Sequence, residues 1–397
     1  MIPMRVALLT ASFDPVIGGA ETYALNLAEG LTAVGHEVMV ITDTPHGMEP
    51  GAADPGPRPY RLARLWRYRG RLFDQQKLPW EEMAFSLASE LEAHMDAFRP
   101  DVLVSNSLDT ALQAAMIRRS TPGLAWAAAF HEHAPQDEPF GDGRMAVVYG
   151  DLRPDAVLAG SQFYAERART YGPAEAVHLI HHGVPVPDVG EETTAAWRAR
   201  YRLSDRDLMI ACVGRLKPRK GMSELIEAFA SLRPRERRLR LVIAGTVSSA
   251  SQAYADGLKS LADRLGCADL VTFDETVVAA QVPALFSAAD LVAQPSHEEG
   301  LGLAVLEGMA ARRPVVTTRV AGINEIVTRP DVAVQVEAHD PKALAAALER
   351  LLTDAGARKD YAEAGFAHVR DNFSLPVMVS RTADVLALLA RSSTACR

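Results

Sequence analysis

What most constrains the fold of this chain is an alternation of short apolar runs with helix-patterned segments, played through twice and interrupted once. In the first pass, residues 6–10, 38–42, 102–105, 124–130 and 157–159 read as strands, while 21–33 and 81–98 carry helical spacing. The second pass places strands at 208–213, 239–244, 270–273, 290–295 and 315–318. Helical patterns separate or follow them at 222–231, 251–265, 303–311, 341–352 and 355–369. Between the passes Gly183, Pro185, Pro187 and Gly190 break both periodicities and mark a linker. Strands alternating with helices pair in parallel through right-handed crossovers. The expected class is therefore α/β, with two facing Rossmann-like domains and a cleft between them. The first domain is assigned to residues 1–188, the second to 189–372, and a helix within 373–397 is expected to pack back on the first.

Composition narrows the function. With 397 residues, 48% hydrophobic and 23% charged, the chain can build two cores and is not a disordered polymer. A net charge of -8 argues against a general nucleic-acid binder. Cys212, Cys267 and Cys396 are odd in number and widely spaced, which fits neither a disulfide framework nor a zinc pattern and suits a reducing cytosol. The apolar start at residues 4–10 is too short for a signal peptide, and no run approaches the ~20 apolar residues of a membrane span. A soluble, cytoplasmic protein is expected.

The chemistry concentrates in Ser296-His297-Glu298-Glu299-Gly300-Leu301-Gly302-Leu303-Ala304-Val305-Leu306-Glu307. Glu299 falls at the carboxyl end of a strand and Glu307 a turn inside the next helix. In open α/β sheets that crevice binds ligands, and a helix start there, at Gly302 and Leu303, suits an anion. Carboxylates repel phosphate but accept hydrogen bonds from sugar and ribose hydroxyls. Together these describe a nucleotide-sugar site.

Three further segments bear on the same chemistry. Val213-Gly214-Arg215-Leu216-Lys217-Pro218-Arg219-Lys220-Gly221 joins a strand to a helix, and Arg215 with Lys220 can neutralise a diphosphate. On its own it is also what a solvated basic turn looks like. Gly18-Gly19 precedes the first helix and lets a phosphate approach backbone amides. No G-x-G-x-x-G follows the first strand, which disfavours a nicotinamide enzyme. Phe130-His131-Glu132-His133 sets an ionisable pair at a strand's carboxyl end, where His131 could donate to a sugar hydroxyl or orient a reacting group. The His-x-His pattern is half of a metal site, but no second ligand cluster has suitable spacing, so no metal is expected.

Taken in order, these segments resemble the retaining glycosyltransferases of family 4, also called glycosyl transferases group 1. Gly18-Gly19-Ala20-Glu21 with Gly35-His36-Glu37-Val38 looks like the opening block of that family, His131-Glu132 like its His-Asp pair and Ser161 like its mid-chain serine. Gly214-Arg215-Leu216 with Lys220-Gly221 looks like its phosphate loop, Glu299 and Glu307 like its E-x7-E, and residues 321–325 like its late glycine–glutamate turn. The resemblance covers most of the chain and implies the GT-B fold. It assigns Glu299 to hydroxyls of the donor sugar, Glu307 to the ribose, Arg215 and Lys220 to the diphosphate, and His131 to the transferred sugar. Amides near Gly18, Gly19, Gly302 and Leu303 would assist. Three departures stand out: His181-His182-Gly183-Val184, Gly245-Thr246-Val247, and Asp274-Glu275 near the expected base pocket.

The resemblance implies transfer of a sugar from a nucleotide-diphosphate sugar, UDP- or GDP-linked, to an acceptor hydroxyl with retention. Cationic side chains would neutralise the leaving group, so no metal and no cofactor beyond the donor substrate is expected. The acceptor, sugar-containing or lipid-linked, should meet the first domain. A nucleotide-sugar 2-epimerase on a similar scaffold is the alternative, and it would need no acceptor. Between Arg58 and Arg71, arginines interleave with Tyr60, Trp66 and Tyr68, a pattern open to weak contact with an anionic membrane or to a bland surface strand or helix.

Overall fold

The computed structural model describes residues 2–14, 19–44, 57–65, 91–131, 143–232, 238–247 and 251–394. The expectations for Gly18, Glu132, His133, Arg67, Arg69, Arg71 and Cys396, and for the first part of the 81–98 helix, fall outside these residues. The chain divides into two compact units, Met1–His182 with Leu375–Arg397, and Gly183–Ser374.

In the first unit seven strands form one parallel sheet: β1 (Arg5–Thr10), β2 (Glu37–Asp43), β3 (Arg61–Leu65), β4 (Val102–Ser105), β5 (Ala125–Phe130), β6 (Ala156–Ala159) and β7 (Val177–Leu179). Their order is β3-β2-β1-β4-β5-β6-β7. Strands β4, β5 and β6 are buried at every residue, which is why they read as unbroken apolar runs rather than alternating ones. Successive side chains still serve opposite faces. Leu9 joins the cluster of Met39, Leu103 and Trp126, and Leu8 joins that of Leu27, Val40 and Leu386. Trp126 is fully buried, and its indole N–H donates to Ser105 Oγ at 2.9 Å. The last helix, Leu375–Thr394, packs on this unit beside the helix Gly19–Ala33. Gly30 allows the approach, because a methyl group there would lie 2.2 Å from Val379 Cγ2.

The second unit repeats the plan with β8 (Leu208–Val213), β9 (Leu239–Ala244), β10 (Val271–Asp274), β11 (Leu291–Gln294), β12 (Val315–Thr318) and β13 (Val334–Val336). The parallel order is β10-β9-β8-β11-β12-β13. Its core also has two faces, one around Ile210, Phe229 and Leu348 and the other around Met209, Phe286 and Leu306. Val184 and Ser374 form a parallel bridge at the unit's edge, with Val184 N–H donating to Phe373 O at 2.9 Å.

Two strands went unread in the sequence and a third was left open between strand and helix. β7 and β13 have three residues each, and β13 is only half-buried, so neither shows an apolar run. β3 is the edge strand hidden in the arginine-rich stretch. There Arg58 is turned inward, 14% exposed, pairing with Asp14 at 2.8 Å and reaching Tyr60 Oη at 2.7 Å. Arg64 donates to Asp14 O at 2.6 Å. These two arginines hold protein rather than water. Among the described residues no helix is long and apolar enough to cross a membrane.

Strand order reverses between β1 and β4 in the first unit and between β8 and β11 in the second. In sheets of this kind the carboxyl ends at the reversal open the ligand crevice.

Candidate active site

At the second reversal, β8 runs into the loop holding Gly214, Arg215 and Lys220. Gly214 N–H donates to Ala244 O at 2.9 Å and Leu216 N–H to Thr246 O at 3.2 Å, which prolongs the ladder toward the β9 side. A short 3₁₀ turn, Pro218–Lys220, ends at Gly221, whose φ of +64° is in the left-handed region, and the helix Met222–Ser231 follows. A side chain at Gly221 would put Cβ 1.9 Å from Pro295 O, so only glycine lets this turn press on the chain leaving β11. The two loops are then laced together. His297 N–H donates to Arg219 O at 2.8 Å, and Arg219 Nη1 donates to Glu298 O at 3.2 Å.

The lacing delivers Lys220 to Glu299. Lys220 Nζ lies 2.5 Å from Glu299 Oε1, with the side chains 16% and 12% exposed. Ser296 Oγ donates to the same carboxylate oxygen at 2.7 Å, and the Ser296 carbonyl accepts from Thr318 Oγ1. Gly322 packs against this turn, since a Cβ there would meet Glu299 O at 2.5 Å. Sequence reading missed Ser296, although three residues before a glutamate is a natural reach for a hydroxyl donor.

Gly302, at φ +94°, opens the eight-residue helix Leu303–Ala310, on which Glu307 is half-buried. The Glu307 side chain makes no hydrogen bond or ion pair with the described residues, and burial pushes its pKa up from 4.5 to about 7. Arg215 is exposed and likewise without a partner among the described residues. The unit therefore gathers a committed Lys–Glu pair alongside an uncommitted cation and an uncommitted carboxyl.

Asp274, suspected from sequence of facing the base pocket, is consumed by structure. Its carboxylate accepts from Arg200 at 2.7 Å, from Tyr201 Oη at 2.9 Å and from Thr276 Oγ1 at 2.7 Å. Cys212 and Cys267 are buried thiols.

At the first unit's reversal, Gly19 begins its helix with open space around a would-be Cβ. His131 follows β5, its Nε2 3.2 Å from Asn106 Oδ1. Asn106 Nδ2 donates to Ala20 O at 2.9 Å, which fixes the amide's orientation, because a carbonyl can only accept. Oδ1 then faces the imidazole, so Nε2 carries the proton and Nδ1 is the acceptor. Burial, with the His182 charge second, lowers the His131 pKa to about 3, and the ring is neutral at ordinary pH.

His131 stacks with His182 at 5.4 Å, and Tyr23 meets both rings edge-on at 5.0 and 4.8 Å. Burial lowers His182 to about 4. A Cβ on Gly160 would lie 2.0 Å from the His182 ring, so glycine makes its room. Asn106, Tyr23 and His182 were not read as site residues; only the fold brings them to His131. Ser161 is the buried N-cap of the helix Gln162–Ala168, accepting from Tyr164 N–H at 3.2 Å.

Two parallel α/β units, each with a polar cluster at its strand-order reversal, define a GT-B class protein. The chain belongs to glycosyltransferase family 4: the family model "Glycosyltransferase Family 4" matches residues 17–186, and "Glycosyl transferases group 1" matches 193–368. D-inositol 3-phosphate glycosyltransferase of Xylanimonas cellulosilytica is 30% identical over 385 residues, covering 89% of each chain. The protein of the same name from Salinispora tropica is 38% identical over 219 residues, 53% of this chain and 45% of that one. A Salinispora arenicola counterpart is matched over 49% of its length, so the chain spans about half of these two relatives. Among solved structures, sucrose-phosphate synthase from Thermosynechococcus elongatus superimposes with a TM-score of 0.79 at 21% identity, over 98% of this chain and 100% of that one. Anabaena HepE, crystallised with UDP and glucose, gives 0.76 at 19% identity, over 97% and 99%.

Proposed function

We propose that this protein is a retaining glycosyltransferase that moves a sugar from a nucleotide-diphosphate sugar to an acceptor hydroxyl without a metal ion. The observation that carries the reading is the Lys220–Glu299 pair at the strand-order reversal of the second unit, with Arg215 and Glu307 of the same two strand-to-helix segments left without side-chain partners among the described residues. Breaking a glycosyl–phosphate bond builds negative charge on the diphosphate and positive charge on the sugar. Arg215, Lys220 and the amides at Gly302 and Leu303 stabilise the first. Glu299 accepts hydrogen bonds from sugar hydroxyls and Glu307 from the ribose, with Gly19 offering its amide to the phosphates.

The acceptor oxygen attacks the anomeric carbon on the face the diphosphate leaves, and its proton passes to the departing phosphate oxygen. No glycosyl-enzyme bond forms, and Glu307, held by ribose, is not a second acid–base carboxyl. Neutral His131 orients a reacting group near the transferred sugar. UDP-sugars are the first donors to test, because HepE was crystallised with UDP, and GDP-sugars the next. D-inositol 3-phosphate, from the relatives' name, is the first acceptor, ahead of other sugar-containing or lipid-linked ones. The reaction is assigned to the cytoplasm.

The Lys220→Ala variant tests the diphosphate role: its turnover should fall by about 10²–10³. Full turnover in that variant contradicts the role, and loss of wild-type turnover in EDTA with rescue by Mg²⁺ contradicts metal independence. Conversion of the donor to its epimer without any acceptor would establish the isomerase instead.

A further inference from the structure

Three side chains outside the roles above converge in the second unit. Glu224 stands in the first turn of the helix Met222–Ser231, His297 in the loop after β11, and His339 ahead of the helix Pro341–Thr353. His297 Nε2 lies 3.0 Å from Glu224 Oε1, and His339 Nδ1 lies 3.5 Å from the same oxygen. The two imidazoles are 3.6 Å apart between ring centres. One ligand atom from each of the three falls within 4.8 Å of the others.

Two observations set this group apart from an ordinary ion pair. His297 Nε2 is shut off from solvent yet makes no hydrogen bond, so its contact with Glu224 lacks hydrogen-bond direction. A buried ring nitrogen in that state carries an unmet demand. His339, 67% exposed, could leave for water but is held in the left-handed region at φ +61° with its ring on His297.

The supporting contacts also orient the donors. Ser223 Oγ donates to Glu224 Oε2 at 2.8 Å, which leaves Oε1 to face both imidazoles. The His297 main chain is pinned by Arg219 O, and Asp340, next to His339, caps its helix by accepting from Ala343 N–H at 2.9 Å. Outer contacts of this kind fix ligand geometry at metal sites.

We infer that Glu224, His297 and His339 form a binding site for one divalent transition-metal ion of the zinc type. Zinc takes imidazole nitrogen and carboxylate oxygen at about 2.0–2.2 Å, which sets neighbouring ligand atoms of a tetrahedral site about 3.3 Å apart. The two imidazole nitrogens, 3.0 and 3.5 Å from Glu224 Oε1, bracket that spacing. Two imidazoles select such an ion over Mg²⁺ or Ca²⁺, which prefer oxygen. Exposure of His339 leaves the fourth position to water. The ion performs no step of sugar transfer. It ties the start of one helix, the start of another and the loop that carries Glu299, because His297 is two residues from that glutamate.

The test is zinc titration of EDTA-treated, desalted full-length protein in competition with a chromophoric chelator, with no donor or acceptor present. One equivalent should bind, and Mg²⁺ should not displace it. His339→Asn keeps a residue that tolerates the left-handed backbone, and Glu224→Gln keeps the side-chain shape. Each should weaken zinc at least about tenfold while circular dichroism stays unchanged. Absence of stoichiometric binding, or wild-type affinity in both variants, overturns the site. Because the readout ignores turnover, its failure is separate from any failure of the transferase reading.

Discussion

At the scale of single residues, the site sorts its carboxyls by their company. Glu299 is held by a cation and a hydroxyl, whereas the Glu307 side chain is desolvated with no partner among the described residues, and desolvation disfavours its charged form. Between pH 4.5 and about 7 the folded protein keeps a proton on Glu307 that the unfolded chain has released, so stability falls as pH rises through that window. Glu307→Gln removes the titration. Its melting temperature should match the wild type near pH 4.5 and exceed it by about 5 °C at pH 8. Equal melting at pH 8 would show that the carboxyl is not burdened by burial. On the proposed reading, a donor whose ribose hydroxyls meet Glu307 would offset the same penalty.

At the scale of elements, the loops after β8 and β11 act as one piece because Gly221 admits the Pro295 carbonyl. Gly221→Ala combines a forbidden contact with a strained φ, and should cost about 3 kcal/mol, or roughly 6–12 °C in melting temperature. It should also separate Lys220 from Glu299, so donor affinity measured by calorimetry falls with stability. A variant that melts as the wild type and binds donor equally would remove the turn's role.

Much at this scale was legible in the sequence. Buried strands such as β5 and β11 are continuous apolar runs, and the glycines of the loop after β8 and of the E-x7-E turn stand at fixed places between strand and helix. β7 and β13 were not read and β3 was left open between strand and helix, because three-residue or half-exposed edge strands leave no apolar signature. The arginine stretch showed its charges, but Asp14, which takes up Arg58 and Arg64, lies more than forty residues earlier.

At the scale of the whole molecule, the fold was readable as two α/β passes and the family as an ordered set of motifs. What could not be read were groups joined only by the sheet. Asn106, which sets the His131 tautomer, comes from another strand end, and Arg200 reaches Asp274 across 74 positions. Glu224, His297 and His339 are likewise scattered through the second unit, so the expectation of no ligand cluster rested on sequence spacing alone.

The central claim is that the second unit is a sugar-nucleotide site built on Lys220, Glu299, Arg215 and Glu307. Its most direct test is a thermal-shift titration with UDP-, GDP-, ADP- and dTDP-sugars, since a ligand of the native state at a hundred times its Kd adds about 2.7 kcal/mol. One nucleotide class should raise the wild-type melting temperature by roughly 5–10 °C, with the shift reduced to a small fraction in Lys220→Ala and Glu307→Gln. No shift with any sugar nucleotide, or an undiminished shift in both variants, would contradict the account.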